Sequence, residues 1–100
     1  MENRNYLIIL YDYYGELLDE DDKSYFEDYY FDNLSLAEVA SNNNISRNAV
    51  HKHIKKVEEK LLFYEDKLKL YSKDKKIKEK IDKINNKSLQ DLIIDLLNLK

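Results

Sequence analysis

Apolar side chains recur at helical spacing along nearly the whole chain, and the changes of phase mark where one helix ends and another begins. Residues 3–18 (NRNYLIILYDYYGELL) place Tyr6, Leu7, Leu10, Tyr14, Leu17 and Leu18 on one face, with Ile9 and Tyr13 on a second. A helix apolar around so much of its circumference must be covered on two sides, by its own core or by another subunit. The next stretch opens on the acidic run 19–22, which suits an N-cap and the positive end of a helix dipole. It runs over about 21–31 with Tyr25, Phe26, Tyr29 and Tyr30 as an aromatic stripe at core spacing, closed by Asp32 and Asn33.

Residues 34–57 (LSLAEVASNNNISRNAVHKHIKKV) carry the densest local signals, and the rest of the chain is organised around them. Ser35 with Glu38 forms a capping box, in which hydroxyl and carboxylate each satisfy a backbone amide at a helix start. Leu36, Val39 and Ala40 share one side of that helix. Asn44 falls where a tight turn needs the left-handed region, which Asn tolerates best after Gly. Ile45 is an expected buried anchor, Ser46 caps a second helix, and Val50, Ile54 and Val57 continue at helical spacing. Two short capped helices joined by a tight turn make a helix-turn-helix.

Beyond the turn, apolar positions fall at Val50, Ile54, Val57, Leu61, Tyr64, Leu68 and Tyr71, alternating steps of four and three as in a heptad seam. The second motif helix is therefore expected to run as one rod to about residue 71. At about 1.5 Å per residue it would project beyond a three-helix core and need a partner for its lower seam. Residues 72–76 (SKDKK) break the phase, so 72–87 reads as a hinge. Ile77, Ile81 and Ile84 form a short lysine-rich amphipathic stretch. Asn85 and Asn86, with Ser88 as the expected cap, lead into a last helix bearing Leu89, Leu92, Ile93, Leu96 and Leu97. The expected organisation is a helix-turn-helix domain over 1–71 and a lysine-rich hinge with a C-terminal amphipathic helix over 72–100.

Composition sharpens the fold class. One Gly and no Pro in 100 residues leave little of the punctuation that sheets and long loops need, which argues for an all-α bundle. The absence of Cys excludes disulfides and thiolate metal sites and fits a cytoplasmic protein. No apolar run approaches the roughly 20 residues of a membrane span. The net charge of −3 is unevenly spread: residues 1–34 hold ten acids against Arg4 and Lys23, whereas 35–60 and 61–100 are each net basic. The basic part includes the expected reading helix of the motif, while the acidic part would turn away from a phosphate backbone.

Catalytic chemistry finds no support. Gly15 alone cannot build a phosphate-binding loop, and no Ser, His and carboxylate set suggests a covalent nucleophile. His51 and His53 lie about 200° apart on a helix and cannot chelate one metal from the same face. Neither an enzyme, a metal nor a cofactor is expected. The second motif helix instead presents Asn48, Lys52, Lys55 and Glu59 opposite its seam, with His51 beside them and Arg47 at the N-terminal edge. In a DNA complex Arg47 would reach a guanine edge or a phosphate, Asn48 an adenine edge, and Lys52, Lys55 and the Ser46 cap region the backbone. The bland alternative is a solvated helix face.

The combination of Tyr29-Tyr30, Leu34-Ser35-Leu36-Ala37-Glu38, Ile45-Ser46-Arg47 with Ala49-Val50, and Tyr64-Glu65 resembles the YlxM family, small bacterial helix-turn-helix proteins similar to region 4 of sigma factors. With the apolar N-terminal helix the resemblance covers about 70 of the 100 residues and stops near residue 72. It implies an all-α homodimer that regulates within the signal recognition particle pathway. Its partners would be duplex DNA or, alternatively, a protein or RNA of that particle. Leu10, Tyr14, Leu61, Tyr64, Leu68 and Tyr71 are the expected dimer surface. Asn43 departs from the family pattern, which has a large apolar residue there, and predicts a loosely packed turn.

Overall fold

A computed structural model describes residues 3–99, which form six α-helices and one 3-10 turn with no strand among the described residues. The helices are α1 (Arg4–Tyr14), α2 (Glu20–Tyr30), α3 (Leu36–Asn43), α4 (Arg47–Leu68), α5 (Leu70–Ile81) and α6 (Lys87–Leu97). The chain divides after Lys69 into two compact units.

In the first unit α4 is the central strut, in contact with α1, α2 and α3. The core is Leu7, Leu10 and Tyr14 from α1, Tyr25, Phe26 and Tyr30 from α2, Val39 and Ala40 from α3, and Val50, Ile54, Val57 and Leu61 from α4. Burying a Leu- or Val-sized side chain contributes about 1.5–3 kcal/mol, so this set of residues carries most of the unit's stability. Helix α1 stops at Tyr14 rather than 18, and a 3-10 turn over Gly15–Leu17 follows. Gly15, whose backbone is ordinary right-handed, sits under the Tyr11 ring: a Cβ there would meet the ring at 3.2 Å. That ring stacks on Phe26 at 4.5 Å, so glycine is needed for close approach. The turn rotates Leu18 into the core and Leu17 out, contrary to the expected shared face.

The seam of α4 also departs from the heptad reading. Positions 50, 54, 57 and 61 are buried as expected, but the next buried residue is Glu65, and Tyr64 is half-buried. A straight helix has 3.6 residues per turn and drifts relative to a 3.5-residue repeat, so the inward position slips by one. Glu65 accepts a hydrogen bond from the Tyr14 hydroxyl at 2.5 Å. Helix α4 ends at Leu68, because Lys69 turns left-handed (φ 55°) and its N–H closes onto the Glu65 carbonyl at 2.9 Å. The rod is thus interrupted just before 71, and residues 72–81, expected as part of a hinge, are helical. No Gly, Pro or Asn at 69 signalled the break.

The second unit is a helical pair. The Gln90 amide donates to the carbonyls of Ile81 (2.8 Å) and Ile84 (2.5 Å), tying the first turn of α6 to the end of α5. Asn86, not Ser88, caps α6, accepting from the Leu89 N–H at 3.0 Å. Leu89, Leu92, Ile94 and Leu96 are exposed.

Candidate nucleic-acid interface

The approach to the motif is fixed from α1. One Arg4 nitrogen donates to the carbonyls of Tyr29 (3.2 Å) and Tyr30 (2.5 Å) and to Asn33 Oδ1 (2.8 Å), with the guanidinium 4.8 Å from the Tyr30 ring. A cation at a helix C-terminus meets the negative end of its dipole and its unsatisfied carbonyls. Asn33 takes φ 56° and turns the chain into α3. The capping box forms as read, with the Glu38 N–H donating to Ser35 Oγ at 3.1 Å and the Ser35 N–H to Glu38 Oε1 at 3.0 Å. These bonds hold the exposed Glu38 carboxyl below its ordinary value. Asn44 ends α3 at φ 55°. Asn43, where the turn was expected to be loose, donates its amide to the Val39 carbonyl at 2.7 Å. Ser46 Oγ accepts the Ala49 N–H at 3.0 Å and starts α4.

Of the expected interface residues, Arg47, Asn48, His51, Lys52 and Lys55 are all exposed on the first turns of α4, and Ser46 is exposed but engaged as the cap. Arg47, Lys52 and Lys55 form no ion pair among the described residues. His51 and Lys55 line a groove with Tyr29, Leu36 and Glu58, whereas Lys52 lines a hollow on the other flank with Ala49, His53 and Lys56.

Of the expected dimer surface, Leu10, Tyr14 and Leu61 are fully buried in the chain's own core. Their apolar area is already used by the folding of the single chain. Tyr64 and Tyr71 are half-buried and Leu68 is exposed.

A buried carboxylate behind α4 escaped the sequence reading. Asp22, taken as part of an acidic cap cluster, has no solvent exposure. Asp19 alone caps α2, accepting the Asp22 N–H at 2.9 Å. The Asp22 carboxylate faces α4, with Oδ1 2.9 Å from His53 Nδ1 and Oδ2 3.2 Å from Lys56 Nζ. Burial pushes its pKa up, but the bonds and charges of His53 and Lys56 outweigh this and leave the carboxyl below the ordinary Asp range. The same contact raises Lys56. A signal was present: Asp22 precedes Tyr25 by three and Phe26 by four, which puts it on the buried stripe of α2, and His53 and Lys56 are three apart on α4. On the opposite flank the Tyr30 hydroxyl donates to Glu58 of α4, and burial followed by that carboxylate raises the phenol.

No helix of the described residues is long and apolar enough to cross a membrane. A family model described as "Putative helix-turn-helix protein, YlxM / p13 like" (UPF0122) matches residues 1–98. The chain is 43% identical over its full length to a UPF0122 protein of Clostridium kluyveri, covering 86% of that protein. It is 40% identical over 87 residues to one of Malacoplasma penetrans, covering 87% of this chain and 81% of the relative. It is 39% identical over 92 residues to one of Fusobacterium nucleatum subsp. nucleatum, covering 88% and 89% respectively.

Proposed function

The chain belongs to the UPF0122 family of YlxM/p13-like helix-turn-helix proteins, and from that premise we propose that it is a cytoplasmic DNA-binding regulator acting in the signal recognition particle pathway. The observation that carries the DNA reading is the state of the first turns of α4, where Arg47, Lys52 and Lys55 are exposed with no acidic partner. Surface cations of a folded protein that are not paired are free to exchange counterions for phosphates. An α-helix with its side chains is about 10–12 Å across and fills a major groove about 12 Å wide. Arg47 and Asn48 then meet base edges, while Lys52 and Lys55 meet the strands on either side. The two phosphate contacts of Lys52 and Lys55 give a slope of log K against log salt of about −1.8 per protomer.

Fluorescence anisotropy with labelled duplex DNA tests this. Affinity should fall with salt at about that slope, and Lys52→Glu should weaken it. A folded protein that binds no duplex at low salt overturns the reading. We also propose a homodimer using Tyr64 and Leu68 at the end of α4, since Leu68 is 46% exposed there. A monomeric mass by light scattering at micromolar concentration rejects it. A second reading, an interaction module for a protein or RNA of the particle, is favoured by the exposed Leu89, Leu92 and Leu96 of α6 and the lysines of α5. Native co-purification that recovers neither the particle's protein nor its RNA counts against it.

A further inference from the structure

The Asp22–His53 contact gives the outer surface of α4 a chemistry that the exposed lysines alone do not have. We infer that His53, backed by the buried Asp22 carboxylate and flanked by Lys52 and Lys56, is a phosphate-binding group of the DNA interface that takes up a proton when it binds. This inference rests on the DNA-binding reading above and assigns a further contact within it.

The geometry fixes the tautomer. A carboxylate held in its charged form only accepts, so His53 Nδ1 at 2.9 Å must carry the hydrogen. In the neutral ring Nε2 then holds a lone pair and cannot donate to a phosphate oxygen. Protonation turns Nε2 into a donor and adds a positive charge, while Asp22 accepts the same bond in both states. The ring is 39% exposed and lines a hollow of about 210 Å³ together with Ala49, Lys52 and Lys56. The small Ala49 keeps the hollow clear.

The charged groups that face the ring from α2 are Asp22 and, acting on Lys56, Asp19, with Tyr25 contributing a neutral ring at 5.0 Å. From α4 they are Lys52 and Lys56, with Lys60 beyond Lys56. Lys56 is already paired with Asp22, so Lys52 is the nearest unpaired cation. A bound phosphate can accept from Nε2 only when that nitrogen carries a hydrogen, so binding favours the protonated ring. By linkage, lower pH must then tighten DNA binding.

The test uses the full chain and a fluorescein-labelled random-sequence duplex at low salt, at about pH 6 and about pH 8, which bracket the range in which imidazoles change charge. The wild-type protein should bind about fivefold or more tighter at the lower pH, as expected for one charge-assisted hydrogen bond. Because His51 also lies in the proposed interface, the decisive comparison is made in a His51→Gln background: the pH ratio should persist there, and adding His53→Gln should abolish it. Calorimetry of the His51→Gln protein near neutrality, in two buffers of different ionisation enthalpy, should show net proton uptake that is lost when His53→Gln is added. An affinity of the His51→Gln protein that ignores pH, a pH dependence that survives when His53→Gln is added to it, or binding by the His51→Gln protein without proton uptake overturns the inference and leaves DNA binding standing. No binding at either pH by any variant overturns both.

Discussion

Replacing Asp22 by Ala removes the only charged group among the residues that α2 buries. Two interactions disappear: the hydrogen bond from His53 Nδ1 at 2.9 Å and the ion pair with Lys56 Nζ at 3.2 Å. Breaking a fully buried pair costs about 3–5 kcal/mol, because the abandoned partner is left charged and dry. Here the partners' side chains are 39% and 48% exposed and regain water. The loss is therefore closer to that of one hydrogen bond to a charged group, about 2 kcal/mol. For a small domain this corresponds to a fall in melting temperature of about 10 °C. Eight of the nine tyrosines precede Lys69, so near-ultraviolet circular dichroism follows the first unit specifically. The pH dependence follows from the depressed carboxyl. Its stabilisation is complete above the ordinary Asp value of about 3.9 and is lost as pH falls through the lower folded value. The gap between wild type and Asp22→Ala should therefore close below about pH 4. A double-mutant cycle with His53→Ala should give a coupling of about 1 kcal/mol. A loss under about 0.5 kcal/mol at neutral pH, typical of a surface change, would refute this account of Asp22.

Other substitutions address other parts of the fold. Leu61→Ala should cost about 3 kcal/mol by urea denaturation, independent of protein concentration, because Leu61 lies in the chain's own core; a concentration-dependent loss would return it to a subunit interface. Gly15→Ala should destabilise by about 1 kcal/mol in thermal melts, since the Tyr11 ring it would meet at 3.2 Å is held by Phe26. Lys69→Gly should raise the urea midpoint, gaining roughly 0.5–1 kcal/mol from a left-handed position that a side chain strains.

The motif was legible in sequence because each of its signals acts within a few residues. Ser35 and Glu38, Asn44 and Ser46 do locally what their chemistry dictates, and Val50, Ile54 and Val57 point inward wherever a core lies. What was not legible depends on which surface meets which. The α1 pattern did not show that the Tyr11 ring would lie over Gly15. The heptad spacing did not distinguish a subunit seam from a core stripe, and Leu10, Tyr14 and Leu61 belong to the core. Asp22 resembled its acidic neighbours until α4 brought His53 and Lys56 to it. Among the expected interface residues, the sequence placed each on the outer side of α4 but not on which flank, and that separates Lys52 from His51 and Lys55.

Asn44 has a mechanical consequence. A glycine at the joint between α3 and α4 would have a broad range of accessible backbone angles, and the two helices could swing about it. Asn44 sits in the narrow left-handed basin allowed to a residue with a Cβ, and rotation out of it is blocked sterically. The joint is stiff, and the angle between the helices is set before any ligand arrives. A stiff joint loses little freedom on binding, so less of the interaction energy goes into ordering the motif.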